Sequence, residues 1–415
     1  MSSEIILDKW THLYSERTKN MRSSEVRDLL DVTARSDIIP LAAGAPYVKA
    51  LNFRDIEKYA RKIIAEDGLS AFQYGPSGGF YPLKMCLVDV LKLDGIVASP
   101  DDILITDGGQ QALDLLAKIF IDPGDIIIAE VPCYVGALNA FLSYQARVET
   151  VPVDENGLQI EILEDKLSQL SREKEIKFIY TVPNFSNPSG VTLSFDRRKE
   201  LVSLARRYGT LIIEDNPYGR LRFEGEHLKN LRQLDEENII YVGTASKMFA
   251  PGLRIGWIVA PFSIREKLIH GKQAADLCSS NFTQRLAFEY FSDPRWKNTL
   301  KKFISIYKEH RDAMLGALEE HFPEEVTWSH PVGGFFTWAT LPEYMNTTEM
   351  LAEAITNKVA YVPGRGFYPD GSGTNCMRLA FCTVESEQIE EGIKRLGKII
   401  KEQMRLYRSF YRGKK

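Results

Sequence analysis

Seven short aliphatic runs along the middle of the chain constrain its fold more than any other feature. They cover residues 103–106, 126–130, 148–152, 178–182, 211–214, 239–243 and 257–260. Rich in Ile, Val and Leu, such short runs suit buried strands and are too short for helices. Most are separated by stretches of helical periodicity. In residues 110–120, Ala112, Leu115, Leu116 and Ile119 fall on one face, and residues 196–208 form a second helix opened by Ser194-Phe-Asp as a capping signal. Parallel strands need long crossovers, so this alternation predicts an α/β layer around a mostly parallel sheet.

Past residue 295 the pattern changes. A long charged helix from Trp296 to about residue 320 leads into short strands at 335–339, 360–362 and 377–381, then a final helix from about residue 385. The expected organisation is a large α/β domain over 51–295 and a smaller α+β domain over 296–415. Residues 1–50 form an N-terminal arm that joins the small domain, with an amphipathic helix over 25–34 and an extended stretch, Pro40-Leu-Ala-Ala-Gly-Ala-Pro46. A chain of 415 residues is long enough to fill more than one core.

Several partner classes are disfavoured. A net charge of −4 supplies no basic footprint for nucleic acid, and the basic 405–415 tail reads as the frayed end of an amphipathic helix. Six dispersed histidines, with no HExxH, give no support for a metal site. Five scattered cysteines without a CxxC spacing suit reduced thiols in a cytoplasmic protein. No secretory signal is visible at the start, and no apolar run approaches the ~18 residues of a membrane span.

The chemistry-bearing residues gather where strands end, which is where open α/β sheets bind ligands. After the run 239–243 come Thr244, Ser246 and Lys247 on a Ser/Gly/Pro-rich loop, then Arg254 seven positions beyond the lysine. A lysine amine can form a Schiff base with an aldehyde, and a guanidinium can clamp a phosphate. Pyridoxal 5'-phosphate carries both groups. After 103–106, Gly108, Gly109 and Gln110 open a helix whose free N–H groups suit a phosphate, although Gly-Gly there is also ordinary turn chemistry. After 211–214, Asp215 could pair with a protonated pyridine nitrogen, or could simply cap a helix before Asn-Pro. Tyr218 and Asn187 could donate to the ring's phenolic oxygen. Tyr134 could stack on the ring or belong to the core.

Each of these is ambiguous alone, but their succession is not. Gln73-Tyr74-Gly75, Gly108-Gly-Gln-Gln111, Pro132-Cys-Tyr134, Asn187-Pro-Ser-Gly190, Glu214-Asp-Asn-Pro-Tyr218, Ser246-Lys247 through Arg254 and Met377-Arg378-Leu-Ala-Phe381 make the chain resemble the class I/II pyridoxal-phosphate-dependent aminotransferases of fold type I. The resemblance spans essentially the whole length. Ser24-Glu-Val-Arg27-Asp-Leu-Leu30 followed by Leu41-Ala-Ala-Gly-Ala-Pro46 is similar to the 2-aminoadipate/kynurenine (multisubstrate) branch. The resemblance implies ping-pong transfer of an amino group from an L-amino acid to a 2-oxo acid such as 2-oxoglutarate. It implies that Lys247 bonds the cofactor and then shuttles the substrate proton. It also implies Asp215 at the pyridine nitrogen, with Asn187 and Tyr218 on the phenolic oxygen. Gly109, Gln110, Thr244, Ser246 and Arg254 would line the phosphate site, joined by Tyr74 from the second subunit of a homodimer. Arg378 would bind the substrate carboxylate with Asn187 and the Gly44 backbone.

Two departures stand out: the branch's phosphate-loop serine is Gly109 here, and its Ala-Gly-Gly-Leu-Pro reads Ala42-Ala-Gly-Ala-Pro46, which reshapes the side-chain pocket. Arg27 could reach an acidic substrate side chain or be a solvated helix charge. Tyr47, Tyr74, Tyr134 and Phe367 would suit an aromatic one. A β-lyase on the same fold, or an aminotransferase-like module of a transcription regulator, are the competing readings.

Overall fold

A computed structural model describes residues 9–21, 29 and 35–411. Of the helix expected over 25–34, only Leu29 is among the described residues, and it is buried. Strand β1 (Ile39–Pro40) precedes two helices, α1 (Phe53–Ala71) and α2 (Tyr81–Leu93). Then follow β2 (Ile103–Thr106), α3 (Gly108–Phe120), β3 (Ile126–Val131), α4 (Val135–Ser143), β4 (Arg147–Asp154), β5 (Gly157–Leu158), α5 (Ile160–Leu170) and β6 (Ile176–Thr181). Next come α6 (Phe195–Tyr208), β7 (Leu211–Asp215), β8 (Ile239–Thr244), β9 (Gly256–Val259), α7 (Phe262–Ala275) and α8 (Asn281–Ser292). All seven expected strands form, within two residues of their expected ends.

One eight-stranded sheet runs β2-β9-β8-β7-β6-β3-β4-β5. The pairs β4/β3, β3/β6, β6/β7 and β7/β8 are parallel, while β9 is antiparallel to both β8 and β2. The loop from β8 to β9 carries no helix of crossover length, so β9 returns beside β8 in the opposite sense. Strands covered by helices on both faces are mostly apolar, and β2, β3, β8 and β9 are buried at every residue. Helix α3 buries Ala112, Leu113, Leu115, Leu116 and Ala117 against that sheet. Each buried Leu there contributes about 2 kcal/mol by removal from water.

The register aligns the strand ends that matter. Thr181 pairs with Glu214, Asp215 with Val242, and Gly256 with both Thr244 and Thr106. The carboxyl ends of β6, β7, β8 and β2 therefore open on one edge of the sheet.

The remaining elements are α9 (Trp296–His321), β10 (Thr327–Trp328), β11 (Phe336–Thr340), α10 (Thr347–Thr356), β12 (Val359–Ala360), β13 (Val362–Pro363), β14 (Cys376–Ala380) and α11 (Ser386–Tyr411). A four-stranded sheet, β10-β11-β14-β13, is antiparallel in all its pairings. The single strand expected over 360–362 is two: β12 pairs in parallel with β1, and β13 pairs with β14. The apolar run is continuous in sequence, but Tyr361 belongs to neither pairing and donates its hydroxyl to Thr347 O. Helix α11 buries Ile389, Ile393, Leu396, Ile400 and Met404 at helical spacing, and these pack with Met314 and Leu318 of α9. Helix α9 joins both cores: Trp296, Leu300, Phe303 and Tyr307 belong to the first, Met314 and Leu318 to the second. Ser194 precedes α6 in extended conformation as expected, but its side chain makes no capping bond. Among the described residues no helix is long and apolar enough to cross a membrane.

Candidate active site

Lys247 lies just past the end of β8, on the shared strand edge. Its Nζ donates to Gly44 O at 3.1 Å and stands 5.2 Å from the Phe335 ring centroid and 5.8 Å from that of Tyr218. No carboxylate pairs with it among the described residues. Burial therefore disfavours the ammonium, and its pKa falls from 10.5 to about 8, helped by the positive charges of Arg378 and Arg254. A lysine so placed has an appreciable neutral, nucleophilic fraction near neutral pH.

Asp215 closes β7 on the neighbouring strand and is 7 % exposed. It accepts a hydrogen bond from Tyr180 Oη at 2.8 Å. Burial raises its pKa to about 7, with Tyr180 pulling the other way. A cationic partner opposite the carboxyl would draw that value down again. Tyr218 is buried beside Phe335 and Phe336, and burial raises its phenol so that it stays a donor.

A phosphate-shaped turn forms where β2 gives way to α3. Gly108 holds φ +75°, and a Cβ there would meet Arg254 Nη2 at 2.4 Å. A Cβ on Gly256 would come within 2.5 Å of Gly108 C, so both glycines are required for this close approach. Arg254 takes a left-handed φ of +54°, unusual for a non-glycine, and donates to Pro251 O and Asp107 O. No carboxylate neutralises it among the described residues. Thr244 Oγ1 accepts from Ser246 N–H at 3.1 Å and lies 3.0 Å from Ser246 Oγ. The Gln110 side chain is engaged, donating to Gly136 O at 2.7 Å and accepting from Tyr134 Oη at 3.2 Å. Gly109 is not sterically required, since a Cβ there would meet only Val242 at 3.9 Å.

The second guanidinium comes from β14. Arg378 is 2 % exposed, donates from Nη1 to Asn187 Oδ1 at 2.9 Å and from Nη2 to Ala42 O at 2.7 Å, and leaves Nε unpaired. Phe336 stacks 4.3 Å from its Cζ and Phe367 stands at 5.3 Å. Burial lowers its pKa to about 10. The opposing strap, residues 41–47, is tied to the small sheet. Ala380 N donates to Leu41 O, and Thr383 Oγ1 donates to Ala43 O at 2.6 Å. Gly44 must be a glycine here, because a Cβ would sit 2.7 Å from the Phe336 ring.

The strand edge thus brings together Lys247, Asp215, Tyr218, Asn187, Thr244, Ser246, Gly108, Gly109, Gln110, Tyr134, Arg254, Arg378 and Gly44. Tyr74 stands apart: it is 77 % exposed, and no hydrogen bond or ring contact joins it to this cluster among the described residues. Arg27 lies outside the described residues. Sequence reasoning missed Tyr180 and Glu130. Glu130 is buried and accepts from Thr181 Oγ1 at 2.5 Å and Ser186 Oγ at 2.7 Å, bracing the loop that carries Asn187. A carboxylate inside an apolar strand (Ile126-Ile-Ile-Ala-Glu130) was the available signal for Glu130.

These residues fit pyridoxal 5'-phosphate by chemistry. The site offers a deprotonatable amine for an aldehyde, a buried carboxyl for a ring nitrogen, and a helix N-terminus with an unneutralised guanidinium for a phosphate. Comparison with known proteins agrees. The family model "Aminotransferase class I and II" matches residues 36–396. An aromatic-amino-acid aminotransferase from Thermococcus litoralis is 44% identical over 395 residues, covering 94% of this chain and 95% of that one. The crystal structure of Pyrococcus horikoshii kynurenine aminotransferase, in complex with PMP, superposes with a TM-score of 0.91 at 44% identity, covering 96% and 99% of the two chains. An alpha-aminoadipate aminotransferase from Thermus thermophilus, complexed with N-(5'-phosphopyridoxyl)-L-leucine, gives 0.89 at 33% identity over 96% and 99%. The chain belongs to the class I and II aminotransferases of fold type I, enzymes that transfer amino groups with pyridoxal 5'-phosphate.

Proposed function

On this scaffold we propose a transaminase acting on aromatic and 2-aminoadipate-like L-amino acids, with a 2-oxo acid such as 2-oxoglutarate as acceptor. The observation that carries the reading is the buried Lys247 amine, paired with no carboxylate among the described residues and placed just past the end of β8, the strand that pairs with the Asp215 end of β7. Bound pyridoxal 5'-phosphate supplies an aldehyde for amines and a pyridinium ring that takes up the electron pair left by a broken Cα–H bond. Lys247 would hold the cofactor through its amine and, once released, carry the substrate Cα proton. Asp215 keeps the ring nitrogen protonated, and Tyr180 orients its carboxyl. Asn187 and Tyr218 serve the phenolic oxygen. The α3 N-terminus, Thr244, Ser246 and Arg254 would hold the phosphate, with Tyr134 beside them on the same strand edge.

Arg378 would take the substrate carboxylate as a bidentate pair and so fix the orientation of the substrate Cα. The aromatic side chains near Arg378 and Lys247 (Phe335, Phe336, Tyr218, Phe367) support aromatic donors, as do the names of the relatives. An acidic donor side chain would need a cation such as Arg27. Leu69, Phe72 and Tyr74 form an exposed apolar surface that supports a homodimer, with Tyr74 completing the partner's phosphate site. Residues 51–295 form the cofactor-binding domain and 296–415, with the arm, the smaller one. The five free cysteines support a cytoplasmic location.

The test is a half-reaction screen that follows the bound cofactor's spectrum as single L-amino acids are added. Rapid conversion by tyrosine, phenylalanine, kynurenine or 2-aminoadipate is expected. Conversion only by small aliphatic donors would refute the substrate assignment.

A further inference from the structure

Behind the phosphate turn lies a lysine that the proposed chemistry does not use. Lys272, in the last turn of α7, has a side chain that is 0% exposed. Its Nζ donates to Gln111 Oε1 at 2.8 Å, Asp276 Oδ2 at 2.7 Å and Ser279 Oγ at 2.9 Å, so all three ammonium protons are used. Burying the ammonium end of an ion pair is a poor way to fill a core, because its desolvation offsets much of the attraction to the partly exposed Asp276. What it supplies over an apolar side chain is direction.

That direction points at the turn. Gln111 Oε1 also accepts from Asp107 N–H at 2.8 Å, and Gln111 Nε2 donates to Asp276 Oδ2 at 2.7 Å. Asp107 immediately precedes Gly108, and its carbonyl accepts from Arg254 Nη2 at 3.1 Å. The Asp107 carboxyl faces Ser279, Lys272 and Asp276. One ammonium is therefore two hydrogen bonds from the backbone that opens α3 and three from the Arg254 guanidinium. Fixing a binding group through its supporting partners is how sites keep sub-ångström geometry.

We propose that Lys272 is a positioning residue of the phosphate turn, holding Gln111 and, through it, the Asp107–Gly109 backbone and Arg254 in phosphate-receiving geometry. This rests on reading that turn as the cofactor's phosphate site. The step involves no covalent chemistry.

The experiment compares two aldehydes on cofactor-stripped enzyme: pyridoxal 5'-phosphate, and pyridoxal, which lacks the phosphate. Binding is followed by the visible absorbance of the captured aldehyde. The variants are Lys272→Met, the charge-balanced Lys272→Met/Asp276→Asn, and Arg254→Ala as the reference for the turn. The double variant removes the Asp276 carboxylate together with its cation and leaves the Asp107 carboxyl facing Ser279, so it remains informative where the single one does not fold. Both Lys272 variants are expected to lose about tenfold in affinity for the phosphorylated aldehyde, the scale on which orienting partners act at metal ligands, with pyridoxal affinity unchanged. Equal weakening of both aldehydes, or a full phosphate preference in the Lys272 variants when Arg254→Ala has lost it, overturns the role of Lys272. Retention of that preference by Arg254→Ala as well overturns the phosphate-site reading itself.

Discussion

Replacing Arg378 by methionine removes a buried cation whose stabilising and functional effects can be worked separately. In the folded chain burial disfavours the charge and holds its pKa at about 10, well below the ordinary arginine range. A group depressed in this way opposes folding wherever it is charged in both states. The penalty is complete at neutral pH and fades as pH rises through 10 toward the ordinary arginine range. It amounts to about 3 kcal/mol. Methionine abolishes that penalty and also deletes the bonds to Asn187 Oδ1 and Ala42 O, each worth about 1.5–3 kcal/mol for a charged donor. The two effects nearly cancel, so the melting temperature should move by less than about 5 °C. Activity has no such compensation. Losing a two-pronged grip on the substrate carboxylate forfeits about 3–6 kcal/mol, or roughly 10²- to 10⁴-fold in kcat/KM. The assay is the half-reaction with tyrosine, alongside tyramine, which has no carboxylate. A loss below tenfold with tyrosine, or an equal loss with tyramine, would refute the reasoning.

Lys247→Ala should abolish turnover and the visible absorbance of bound cofactor; a variant retaining full transaminase activity would remove the lysine from the chemistry. Because the Lys247 pKa falls to about 8, the rate at which stripped enzyme captures pyridoxal should rise with pH and level off just above that value, rather than climbing on past 10. Asp215 titrates in the fold at about 7, above its ordinary 3.8, so it stabilises the cofactor-free protein at low pH and that contribution is lost as pH rises from about 4 to 7. Asp215→Asn should flatten this part of the melting-temperature profile, and an unchanged slope would contradict the assignment. Mixing Tyr74→Ala with Lys247→Ala, each inactive alone, should restore activity in hybrid dimers, whose one site combines both wild-type residues. No recovery after subunit exchange would mean that Tyr74 serves no neighbouring site.

The strand-end residues were legible because each lies in a short motif directly after an aliphatic run, where sheet geometry exposes it. Position along the run was enough for Lys247, Asp215 and Gly108. Tyr180 escaped because it sits inside a strand, Ile176–Thr181, where an aromatic residue looks like core; only the register of β6 against β7 puts its hydroxyl on Asp215. Lys272 escaped for a related reason, since a lysine in the last turn of a helix reads as a solvated charge balancing the dipole. Its partners at 111, 276 and 279 meet only in three dimensions. The break of the 360–362 run at Tyr361 reflects two different sheet partners, which no local pattern encodes.

The strap at residues 41–47 meets the reactive cluster almost entirely through its main chain. Arg378 Nη2, Thr383 Oγ1 and Lys247 Nζ bond to the carbonyls of Ala42, Ala43 and Gly44 in turn. Apart from the glycine, whose missing side chain makes room for Phe336, the letters at these positions are not what the cluster reads. Ala43 and Ala45 can therefore drift without disturbing the main-chain bonds that hold Arg378, Thr383 and Lys247, and on the proposed reading such drift would alter the shape offered to incoming amino acids. Diversification toward new donors has an open route here that leaves the machinery intact.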